Sequence, residues 1–110
     1  MTALTRIEFL VLAALGKGPL HGYGIVQEVE RISDGAERPR PGNLYRVLDR
    51  LLDRGLLAEA DLEPVVKGGA ARRRFYRITP AGRSASRREA DMLVHAMAST
   101  PVLRDALEAR

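Results

Sequence analysis

The side chains in this sequence best suited to chemistry are cations and amides rather than nucleophiles. Asn43, Tyr45, Arg46 and Arg50 fall at spacings that gather on one side of a helix. Asn offers the donor and acceptor that match adenine, Arg a fork that matches guanine, and Tyr a hydroxyl for phosphate or a ring for a thymine methyl. The other reading of this face is a solvated one, with Asp49 and Asp53 pairing to Arg46, Arg50 and Arg54. A second cationic group, Lys67, Arg72, Arg73, Arg74 and Arg77, runs without an intervening acid. Strand alternation keeps them from all facing one phosphate line, so Lys67 and Arg72, which flank the tip, best suit phosphate contact, against the alternative of an idle charged loop.

Catalytic chemistry has no comparable support. There is no cysteine, and the two histidines, His21 and His95, have no carboxylates at metal-ligand spacing. Glu59, Asp61 and Glu63 recur at period two, which reads as the solvent face of an edge strand rather than an acid–base or metal site. No enzyme activity, metal or cofactor is therefore expected.

The elements that would position these residues follow from hydrophobic spacing. Ile7, Leu10, Val11, Ala14 and Leu15 make one amphipathic helix, with Phe9 and Leu12 on a second apolar face, and Gly16, Gly18 and Pro19 end it. A second helix starts near His21, runs through Ile25, Val26, Val29 and Ile32, and stops at Ser33-Asp34-Gly35. His21 either caps it or, with Tyr23, helps its N-terminus hold a phosphate. A third begins at Pro41 and carries Leu44, Val47, Leu48, Leu51 and Leu52 up to Gly55 as C-terminal cap. Partial alternation over Leu56 to Leu62 and Arg73 to Thr79 predicts two strands with a long tip between them. Thr79-Pro80 then starts a helix striped by Ala85, Met92, Leu93, Ala96 and Met97, and Pro101 separates it from a short last helix with Val102, Leu103, Ala106 and Leu107.

The 110 residues, 45% hydrophobic, suit one compact core, and 18 Lys plus Arg against 14 Asp plus Glu leave a formal charge of +4 that favours an anionic partner. Glu8 interrupts the first apolar run, so no export signal is read there, and no run approaches the ~20 apolar residues of a membrane span. A soluble, cytoplasmic protein with no membrane partner is expected. Three helices followed by a hairpin is the order of a winged helix-turn-helix, whose third helix enters the major groove. The fold class expected is mainly α with a small β-hairpin (α+β): residues 1–79 the winged helix-turn-helix domain, residues 80–110 a C-terminal dimerisation helix.

Four blocks carry a specific resemblance: Gly18-Pro19-Leu20-His21-Gly22-Tyr23-Gly24-Ile25; Pro41-Gly42-Asn43-Leu44-Tyr45-Arg46-Val47-Leu48; Arg50-Leu51 with Gly55-Leu56-Leu57; and Arg74-Phe75-Tyr76-Arg77-Ile78-Thr79-Pro80-Ala81-Gly82. Over residues 6–84 the chain resembles the PadR family of transcriptional regulators, and its last stretch resembles the short C-terminal helix of the smaller members. The resemblance implies a dimeric repressor on palindromic double-stranded operator DNA, released by a small ligand or stress signal. Two positions depart from the family pattern. Arg40 stands where the family has Ser before Pro-Gly, giving up a helix cap, and Arg46 stands where it has Pro.

The expected DNA-contacting set is Tyr23, Pro41, Gly42, Asn43, Tyr45, Arg46, Arg50, Lys67, Arg72 and Arg74. The expected homodimer interface is Phe9, Leu12, Met92, Leu93, Ala96 and Met97. Met92, Leu93 and Met97 also suit a ligand cavity between two subunits, although the chain has no tryptophan to stack a drug. The rival from a different class is a winged helix kept as a protein-interaction or ligand-sensing module with little DNA affinity.

Overall fold

The computed structural model describes residues 3–60 and 74–108, apart from the side chain of Leu107. The order is α1 (Arg6–Ala14), β1 (Leu20–His21), α2 (Gly22–Ile32), α3 (Pro41–Asp53), β2 (Leu57–Ala60), β3 (Phe75–Ile78), α4 (Pro80–Ser99) and α5 (Pro101–Glu108). Each helix starts where local chemistry allows. Thr5 caps α1 in a capping box: its hydroxyl accepts from the Glu8 N–H at 3.2 Å and the Glu8 carboxylate accepts from the Thr5 N–H at 2.8 Å. His21 caps α2, its Nδ1 accepting from the Gly24 N–H at 3.0 Å, which settles the sequence alternative for this side chain in favour of the cap. Pro41 opens α3 as expected, but Arg40 before it makes no side-chain capping bond.

The end of α3 is closed by a Schellman motif. Gly55 takes φ +71°, the Leu56 N–H bonds the Leu51 carbonyl at 2.9 Å, and the Gly55 N–H bonds Leu52 at 3.0 Å. Leu51 and Leu56, the residues whose apolar side chains flank this motif, are both buried in the same core cluster. Val11, Leu12, Leu15, Ile25, Val29, Leu44, Val47, Leu48 and Leu51 make the shared centre of the three helices, with Leu57 and Tyr76 closing it from the sheet. The apolar stripes read from the sequence thus meet on one another.

The sheet has three strands, not the two of the expected hairpin. β2 and β3 pair antiparallel with Glu59 opposite Tyr76, and β1 adds to the other side of β3 with Leu20 opposite Tyr76 and His21 opposite Phe75. A two-residue strand is too short to show alternation; beside its backbone pairing, His21 makes an edge-to-face contact with Phe75, ring centroids 5.4 Å apart. Thr79 accepts from the Gly82 N–H at 3.1 Å and donates to the Gly55 carbonyl at 2.7 Å, tying the start of α4 to the end of α3. A Cβ on Gly82 would fall 2.2 Å from the Leu56 carbonyl oxygen, so only glycine lets α4 sit this close.

Candidate nucleic-acid interface

The buried stripe of α3 turns its polar side outward. Asn43, Arg46, Asp49 and Arg50 are all exposed, and Tyr45 is 46% exposed. Tyr23, 61% exposed at the start of α2, joins them. Gly22 sets this neighbourhood: a Cβ there would meet the Tyr45 hydroxyl at 2.8 Å, so the missing side chain lets α3 lay Tyr45 across the start of α2. Pro41 and Gly42 are exposed at the head of the same helix. No described segment covers this face.

The cations divide by whether the chain already holds them. Arg38 bonds Glu30 at 2.8 Å, Arg31 bonds Glu28 at 2.6 Å, and Arg74 is paired with Glu59. Arg50 and Arg54 converge on Glu8, at 3.6 and 3.4 Å. The alternative reading, in which Asp49 and Asp53 pair with these arginines at i,i+3 and i,i+4, finds no such ion pair among the described residues; Arg50 and Arg54 are met by Glu8 from α1 instead. Arg40 and Arg46 have no ion-pair partner among the described residues. Burial pushes the Glu8 carboxyl upward, but the Thr5 hydrogen bonds and the charges of Arg54 and Arg50 outweigh it and hold its pKa below the ordinary carboxylate value. In the sequence Glu8 interrupts an apolar run, and the Thr5-x-x-Glu8 spacing of a capping box is the signal that marks it.

Lys67 and Arg72 lie outside the described residues, as do Arg73, Asp61 and Glu63. One expected interface residue is corrected outright: Leu12 has no exposed surface and belongs to the protomer's own core, because that part of the second apolar face of α1 is packed within the chain. Phe9 is half-buried against that core. Met92 and Leu93 are 50% and 40% exposed, while Ala96 and Met97 are half-buried. Val94, Val102 and Leu103, which the expected set omitted, enlarge the exposed apolar surface of α4 and α5.

A helical triad, a short antiparallel sheet and an open polar face on the third helix define a winged helix-turn-helix of the DNA-binding class. The sequence model of the Transcriptional regulator PadR-like family matches residues 11–88, and the chain belongs to that family of DNA-binding, non-enzymatic regulators. It is 42% identical over 83 residues to Transcriptional regulator Rv3488 of Mycobacterium tuberculosis, covering 76% of this chain and 69% of that one. It is also 42% identical over 91 residues to an uncharacterized 37.1 kDa protein in transposon TN4556 of Streptomyces fradiae. There the match covers 83% of this chain but 23% of the relative's length. The fold is similar to a PadR family transcription regulator from Clostridium difficile R20291, with a TM-score of 0.72, 21% identity, and coverage of 94% and 99% of the two chains. No helix among the described residues is long and apolar enough to cross a membrane.

Proposed function

We propose that the protein is a cytoplasmic homodimeric repressor that reads a palindromic operator with α3 and is released by a small ligand or stress signal. The observation that carries this reading is the open face of α3, where Asn43, Tyr45 and Arg46, the last without an ion-pair partner among the described residues, are exposed, as is Tyr23 at the start of α2. Asn43 and Arg46 read base edges, and Pro41 and Gly42 bring the head of α3 close to the groove. Tyr23, Tyr45, Lys67 and Arg72 contact the backbone, Arg74 joins them by exchanging Glu59 for a phosphate, and Arg50 works from the far end of the same face.

Residues 80–110 form the dimerisation segment and residues 1–79 the DNA-binding domain. Met92, Leu93, Val94, Val102 and Leu103 are 40% to 78% exposed, an apolar surface that a second copy of the chain would cover. Phe9, Ala96 and Met97 extend it, and flexible Met92 and Met97 suit a seam that also admits a small apolar ligand. Such a dimer sets its two recognition helices roughly 34 Å apart, one turn of DNA.

The test is binding of the purified protein to duplexes from its own upstream region and from a random pool, across a salt series. A two-fold symmetric motif whose affinity falls steeply with salt supports the reading. Absence of DNA binding, or binding indifferent to salt, would instead identify a protein-interaction or ligand-sensing module.

A further inference from the structure

Glu8 is 3% exposed, and it is the buried charged residue of the described core. One buried carboxylate facing α3 would need one arginine for neutrality, yet two converge on it, and they differ in exposure. The Arg54 side chain is 28% exposed and meets both carboxylate oxygens through Nη1 at 3.4 Å. The Arg50 side chain is 52% exposed and meets Glu8 Oε2 through Nε at 3.6 Å. Its two Nη nitrogens have no partner among the described residues, and it lies on the same side of α3 as Asn43 and Arg46. The contact is an ion pair just beyond hydrogen-bond length, and because a guanidinium is a rigid plane, attraction of its Nε edge toward the carboxylate turns its Nη edge away from it.

We propose that Glu8 is a positioning residue for DNA recognition, anchoring Arg50 from inside the core so that its Nη pair is presented as a two-pronged donor to acceptor atoms of duplex DNA. The inference rests on the reading that α3 faces DNA. Glu8 thereby does two things at once: it closes α1 with Thr5, and it keeps a long side chain on α3 from spending its rotamer freedom when DNA arrives. Arg54, the more buried partner, holds the carboxylate in place for this role.

The experiment compares the wild type, Glu8→Gln, Arg50→Ala and the double variant against a duplex enriched by the wild type from a random pool, read by fluorescence anisotropy over a salt series. Glu8→Gln is expected to weaken binding by about three- to tenfold, the scale of ordering one rotamer-rich side chain. It should cost nothing further once Arg50 is Ala. Arg50→Lys, which keeps the charge but not the fork, should lose the Glu8 dependence as well. A salt slope reduced by about one in Arg50→Ala identifies the acceptor as phosphate; an unchanged slope with relaxed sequence preference identifies a guanine edge. Tighter binding by Glu8→Gln would show that the carboxylate withholds Arg50 from DNA, and equal weakening with or without Arg50 would show that it only supports the fold; either overturns the proposal. Arg46→Ala in the same assay separates the two levels, since no effect there removes the α3 reading itself.

Discussion

The two ends of α3 are built on opposite plans. At its C-terminal end the chain largely satisfies itself: Gly55 and Leu56 close the Schellman motif, Thr79 bonds the Gly55 carbonyl, and Glu8 takes up Arg54 and one edge of Arg50. At its N-terminal end Arg40 leaves the helix without a side-chain cap, and Arg40, Asn43 and Arg46 stay exposed. The difference teaches where the molecule keeps its stability and where it keeps capacity for a partner. A helix end closed by its own chain holds position; one left open has donors and cations to offer.

The sharpest way to break that contrast is on the buried side. Leu48→Ala removes a fully buried side chain from the centre of α3 and should cost about 2–5 kcal/mol in a denaturant titration. Asn43→Ala on the opposite face should stay within roughly 0.5 kcal/mol in the same titration. Equal losses would mean that the open face is structural after all.

Removing Glu8 tests the closed end. Glu8→Ala leaves Arg54 and Arg50 without their carboxylate and opens the capping box. Because both arginines retain some access to water, the loss should lie near the low end for a broken buried pair, about 3 kcal/mol. The pH dependence carries the same information. A carboxyl whose folded pKa is depressed contributes stability that is complete above its unfolded value and is lost as pH falls through the folded value. The stability difference between wild type and Glu8→Gln, followed by thermal melts, should therefore shrink on acidification below about 4.5, the ordinary value. A difference that grew instead would mean that Thr5, Arg50 and Arg54 do not favour the ionised form.

The open end is sharpened by separating base reading from charge. Arg46→Ala should relax sequence preference by about 1–3 kcal/mol at the affected position. Lys67→Ala should weaken all sequences alike and lower the salt slope by about one. Identical effects in a binding selection would dissolve the proposed division between helix and hairpin. The smallest expected change is Arg40→Ser, which restores a capping hydroxyl before Pro41 and should stabilise the fold by about 1 kcal/mol in a melt. It would also show whether the cation at this position contributes to DNA affinity.

Much of this architecture was legible in residue spacing. The stripe from Leu44 to Leu52 placed α3 and its polar side, Gly55 marked its end, and Thr79-Pro80 and Pro101 marked the two C-terminal helices, because caps and proline act on the backbone within a few residues. What escaped were contacts between distant segments. β1 spans two residues and exists only because β3 lies beside it. Leu12 looked available for a partner because periodicity counts apolar faces without saying who covers them.

By itself, then, the order of residues determined where helices begin and end and which side of each is apolar, since those properties depend on neighbours three or four positions away. Only the tertiary structure decided which cations of α3 are already engaged. Glu8 and Arg54 are 46 positions apart in the chain, and no local pattern relates them. Whether an arginine is free for a partner or held by its own protein depends on a carboxylate brought to it by the packing of another helix.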